Sequence, residues 1–110
     1  MTTQEANWFA TKINRAPFDN FQKEQYNELQ NLEKQLGPGL KIGRILQFSI
    51  ADGYALYIIT DIKPRTVSVK HLKLGDAWQA YDIVSPQGTV SRRVAEENIR
   101  RKDALAELFG

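Results

Sequence analysis

The side chains of this sequence that could do chemistry are few, and their spacing decides how they are read. His71 is the only histidine, standing between Lys70 and Leu72 near the end of an alternating segment. A histidine base or metal ligand works with a positioned carboxylate or a second ligand, and no motif around His71 supplies one. The acids of the expected β region, residues 37–90, are Asp52, Asp61, Asp76 and Asp82. Asp52 and Asp76 touch glycines, where aspartate serves turns by hydrogen-bonding its own backbone. An acid pair such as Asp61 with Asp82 is what long-range folding would have to bring together for acid–base work. Gly37, Gly39 and Gly43 form a glycine-rich stretch. A dinucleotide fingerprint needs a strand leading into a helix, whose N-terminus holds the pyrophosphate. Here a helical pattern leads into a strand pattern, which makes these glycines a helix stop and a strand entry. The chain is expected to be no enzyme and to hold no cofactor or metal.

Two binding surfaces are candidates instead. From Lys63 to Lys73 the chain carries Lys63, Arg65, Lys70 and Lys73 with no acid, and His71 beside them. Such a hairpin suits phosphates or an acidic protein surface. Tyr54, Tyr57, Trp78 and Tyr81 could line an aromatic groove. Ala55-Leu56-Tyr57 resembles the opening motif of peptide-binding SH3 domains. Ile58-Ile59 follow where that family has Asp-Tyr and an acidic loop, so its peptide-binding residues are not carried over.

The elements that must position these residues follow from periodicity. Thr2 and Glu5 stand at capping-box spacing, predicting a helix over about Thr3–Asn14 that buries Trp8, Phe9 and Ile13. After Pro17, Asp19 opens a second helix with Phe21, Leu29, Leu32 and Leu36 near one face. Gly37-Pro38-Gly39 stops it. The period then becomes two. Strands are expected over Ile42–Ile50, Tyr54–Ile62, Thr66–Leu72 and Ala77–Val84, with Thr89-Val90 as a short fifth. Leu46, Phe48 and Ile50 share one face of the first. The second is apolar on both faces, Leu56 and Ile58 against Tyr57 and Ile59, and is therefore central. Asp52-Gly53, Lys63-Pro64-Arg65, Gly75-Asp76 and Ser85-Pro86-Gln87-Gly88 are the turns. Ser91–Phe109 reads as a closing helix whose Arg92–Glu96–Arg100 and Arg93–Glu97–Arg101 ladders neutralise themselves.

The expected architecture is one α+β domain of 110 residues. A helical hairpin (residues 1–36) precedes an SH3-like barrel or antiparallel meander of about five strands (37–90) and a C-terminal helix (91–110). Short strands joined by tight turns call for such a curled sheet. An open four-stranded sheet with helices on one face is the alternative.

Composition, with 42% hydrophobic and 25% charged residues, is that of an ordinary globular domain. Without cysteine there can be no disulfide or thiolate chemistry, which points to a reducing compartment and a cytoplasmic setting. The N-terminal residues lack the basic start and apolar run of a leader. Tyr54–Ile59 is the longest strongly apolar stretch, too short to span a membrane. Residues 1–36 carry four Lys/Arg against five Asp/Glu, while 37–110 carry eleven against eight. The expected role is a small binding module, monomeric or weakly dimeric. Its partner is a protein, with nucleic acid as the alternative.

Overall fold

A computed structural model describes residues 1–15, 21–50, 53–72, 84–85 and 87–100. It is an α+β structure with helices and a curled, four-stranded antiparallel sheet. Helix α1 (Thr3–Arg15) and helix α2 (Phe21–Leu36) come first. Strands β1 (Ile45–Ile50), β2 (Gly53–Ile62) and β3 (Thr66–Leu72) follow, then the short β4 (Thr89–Ser91) and helix α3 (Arg92–Glu97). The sheet runs in sequence order, β1-β2-β3-β4.

The start of α1 is written locally. Thr2 and Glu5 form a reciprocal capping box: the Glu5 amide donates to Thr2 Oγ1 and the Thr2 amide to Glu5 Oε1, both at 3.1 Å. Orphan amides of the first turn are thereby satisfied, and the Thr2 amide, then the Thr2 side chain, hold the Glu5 carboxyl below its usual pKa by hydrogen bonding to it. The buried face of α1 is Ala6, Ala10 and Ile13, not Trp8. At 3.6 residues per turn Trp8 falls on the opposite side of the helix, where it is 65% exposed. Phe9 is half-buried beside the core face. Alanines let the helix axis approach the sheet closely, and an indole there would hold it off.

Leu29 and Leu32 of α2 join the same core. The helix ends at Leu36, and Gly37 takes φ 68°, the left-handed position that favours glycine. A turn at residues 42–43, with Gly43 at φ 96°, delays β1 to Ile45 rather than Ile42. Arg44 is buried there, its guanidinium donating to the carbonyls of Gly37 and Gly39.

Both faces of the sheet are covered, and β2 is the reason. Leu56 and Ile58, with Ile45 and Leu72, meet α1 and α2. Ala55, Tyr57 and Ile59 face the other way with Leu46, Phe48, Val67, Val69, Val90 and Ala95. The double apolar face thus belongs to an inner strand, as its pattern predicts. Between Ile59 and Asp61 the pairing with β3 slips by one residue. Such a bulge bends the strand and sharpens its twist, and it returns Ile62 to the concave side opposite Val67.

The hairpin register closes at Ile50 opposite Gly53; the two connecting residues lie outside the described ones. The expected strand over Ala77–Val84 lies outside them too, apart from Val84. Where the sequence pattern predicts a helix over Ser91–Phe109, α3 is only Arg92–Glu97, capped by Ser91 Oγ accepting from Val94 N. Beyond it the chain returns to the sheet. Leu46 bridges Ile99, Gln47 N donates to Asn98 O (2.8 Å) and Arg100 N to Ile45 O (2.9 Å). Helical periodicity loses here to the free edge of β1, whose unpaired amides need partners. The predicted Arg92–Glu96–Arg100 ladder is broken with it. Arg100 instead sits 2.9 Å from Glu33 of α2, with side chains only 4% and 8% exposed. Residues 101–110 are outside the description.

Removing one partner of a buried ion pair strands the other charge. Glu33→Leu alone and Arg100→Met alone should each cost about 3 kcal/mol or more in urea unfolding. The double variant should recover most of the loss; equal, small effects of all three would show that the pair anchors nothing.

Candidate functional site

The β2–β3 turn carries the predicted basic hairpin at its tip. Lys63 and Arg65 flank Pro64, both exposed, and the Lys63 amide donates to Thr66 O at 2.8 Å, closing the turn. Proline fixes its own φ, so the turn is stiff. Lys70 is exposed as well, but lies opposite Ile58, well along β3. Four residues of strand from Thr66 amount to about 13 Å, beyond a Debye length of about 8 Å at physiological salt. His71 points to the other face. Its ring lies 5.1 Å from that of Tyr57, and its carbonyl accepts from Asn14 Nδ2 at 2.9 Å. The turn thus unites Lys63 and Arg65 and sets Lys70 and His71 apart. Lys73 lies outside the described residues.

Among the described residues Lys63, Arg65 and Lys70 form no ion pair. Asp61, the nearest acid in sequence, has Oδ1 accepting from the Ile62 amide at 2.9 Å. A further cation joins the turn that the sequence pattern assigns elsewhere. Thr66 pairs with Ser91, and the Arg92 amide donates to Arg65 O at 3.1 Å. Arg92 therefore starts α3 beside the turn. Its neighbour Arg93 is held by Glu97 at 3.3 Å, an exposed pair of i,i+4 spacing; no such bond joins Arg92 to Glu96 among the described residues. Nothing local announces Arg92, because a strand pairing distant in sequence brings it there.

The aromatic candidates separate. Tyr54 and Tyr57 differ by three residues and so face opposite ways on one strand. Tyr54 is 55% exposed at the start of β2, while Tyr57 is buried, edge-on to Phe48 at 5.7 Å. Trp78 and Tyr81 are outside the description, as is Asp82, so the Asp61–Asp82 pair is not described either. The exposed aromatic overlooked in the sequence is Trp8. Lys12 Nζ lies 5.5 Å from the centre of its ring and 3.0 Å from Glu28 of α2. The signal was available: spacing from Ala6, Ala10 and Ile13 puts position 8 outside.

An open cavity of about 410 Å³ is lined by Met1, Leu36, Leu40, Lys41, Ile42 and Ile62. Lys41 Nζ is engaged by Leu36 O at 2.8 Å, a cation on the negative end of a helix. Among the described residues no group of three or more His, Asp or Glu side chains could hold a metal ion, and no helix is long and apolar enough to cross a membrane.

The chain matches no family model, no curated protein and no solved structure. Its function must be argued from its own surface.

The two tyrosines can be told apart by unfolding. Tyr57→Ala should cost about 3–5 kcal/mol as a core truncation, and Tyr54→Ala no more than about 0.5 kcal/mol as a surface change. Equal costs would contradict their placement on opposite faces.

Proposed function

We propose that this chain is a non-enzymatic protein-interaction module whose scaffold is an SH3-like barrel and whose contact face is the outer side of α1. Several features support the barrel reading. A short helix follows β4, the next residues run back along β1 through Leu46 and Ile99, and a bulge bends β2. A first strand partnered on both sides has its edge covered, which is one way small barrels protect their edges.

Trp8 carries the interaction reading. It is the most exposed of the large apolar side chains among the described residues, and the packing of α1 on the sheet makes no use of it. Tryptophan is over-represented among the residues that dominate binding energy, because its large ring fills a pocket while its N–H takes a hydrogen bond. Lys12 over the ring, tied in turn to Glu28, restrains the indole and lowers the entropy lost on docking. The partner chemistry that fits is a protein pocket, apolar within and offering an acceptor to the indole N–H.

Trp8→Ala should leave stability within about 0.5 kcal/mol while weakening the complex about 30-fold, the equivalent of a 2 kcal/mol anchor. The measurement is capture of cellular partners by the wild-type chain and the variant, compared by quantitative mass spectrometry. Titration of the purified partner that discriminates between them then gives the affinity ratio. Identical partner sets and affinities would refute the α1 face as the contact.

A further inference from the structure

Independently of α1, we infer that the end of the sheet formed by Lys63, Arg65 and Arg92 is a binding site for the phosphate backbone of a nucleic acid. Three observations lead there. First, the backbone bond from Arg92 N to Arg65 O and the closed Lys63–Thr66 turn bring the three residues to one end of the sheet. Their proximity is therefore built into the fold and does not depend on side-chain chance. Second, none of the three has a carboxylate partner among the described residues, although Arg93 next door and Arg100 further on both do. Asp61 lies close in sequence, with an oxygen on the Ile62 amide. Like charges gathered with no carboxylate paired to them repel one another and raise a local positive potential, which an anionic partner relieves.

Third, the character of this end selects among anions. A stable protein interface has an apolar centre inside its polar rim. Among the described residues none of the exposed large apolar side chains, Met1, Trp8 and Tyr54, stands between Lys63, Arg65 and Arg92 in the Thr66–Ser91 pairing. Tyr54 begins β2, at the opposite end of that strand from the turn, and Trp8 is on α1. Met1 lies at the cavity that Leu36, Leu40 and Ile62 also line, so an apolar surface borders the turn on the side of Ile62 without entering the group of cations. A contact made by cations alone is what a phosphate backbone accepts, since its affinity comes mainly from released counterions. Two of the three cations are arginines, whose planar forks match phosphate oxygens in pairs. Lys70, about 13 Å along β3 from the turn, is outside this set.

Counterion release makes the inference quantitative. Three phosphate contacts give a slope of about −2.7 in log K against log salt for duplex DNA, and about −2.1 for a single strand. Between 50 and 200 mM salt the affinity should therefore fall about 40-fold for duplex and about 20-fold for single strand. The test is fluorescence anisotropy of the full chain with a labelled 20-base-pair duplex, a 20-nucleotide strand and a polyglutamate peptide. Variants are Lys63→Gln/Arg65→Gln/Arg92→Gln, and Lys70→Gln as the comparison, with circular dichroism to verify the fold. The inference expects binding of at least one nucleic acid with the stated salt slope. The triple variant should weaken it at least tenfold, and Lys70→Gln should change it less than about threefold, roughly one phosphate contact. Absence of binding to both nucleic acids at 50 mM salt would overturn it. So would a triple variant that is folded and binds normally, equal losses with Lys70→Gln, or binding to polyglutamate alone, which would identify an acidic protein as the partner.

Discussion

Everything in this structure depends on one strand that is buried twice. On β2, Leu56 and Ile58 supply the floor for α1 and α2, and Ala55, Tyr57 and Ile59 form part of the concave core on the other side. Each large side chain so buried is worth roughly 1.5–3 kcal/mol. Isolated helices of 13 and 16 residues are marginal in water, so α1 and α2 owe their stability to the apolar face that β2 presents. The bulge after Ile59 lets the same strand serve a curved sheet. Without the extra residue, Ile62 would alternate to the helix side and leave the concave core short of a side chain opposite Val67.

Around this centre, buried arginines attach the flanking segments by different means. Arg44 takes backbone carbonyls of the loop after α2, and Arg100 takes the Glu33 carboxylate, securing the returning C-terminal segment to α2. Both pairings have a consequence for the surface. The formal net charge of +2 makes the chain look nearly neutral, yet several charges of both signs are spent internally or on close pairs. What stays open at one end of the sheet is a cationic group. Net charge does not report this local potential, because the pairs Lys12–Glu28, Arg93–Glu97 and Arg100–Glu33 cancel without changing the total, whereas Lys63, Arg65 and Arg92 are gathered in one place.

Local chemistry was legible and long-range placement was not. The capping box at Thr2 and Glu5, the helix stop at Gly37 and the double apolar face of Tyr54–Ile62 each depend on residues within a turn or a strand. All three are present as their spacing requires. Counting hydrophobic residues misplaced Trp8, because two alanines and an isoleucine make the closer-fitting face. The i,i+4 charges after Ser91 imitate a long helix. The open edge of β1 decides otherwise, taking Ile99 and freeing Arg100 to reach Glu33. Of the candidate sites, Lys63 and Arg65 could be named from the turn itself. Their companion Arg92 arrives through the Thr66–Ser91 pairing, which a linear reading of charge cannot contain.

The dependence on β2 is most directly measured by native-state hydrogen exchange along the sheet. The Ile59 amide, which donates to Arg44 O at 2.9 Å, and the inner-ladder amides of Tyr57 and Ile58 should exchange only through global unfolding. Their opening free energy should then equal the stability found by denaturant, while amides at Thr89 and Asn98 open earlier. Exchange of the β2 amides through a smaller opening, with α1 and α2 still protected, would contradict the account, because the helices would then be standing without the strand that holds them.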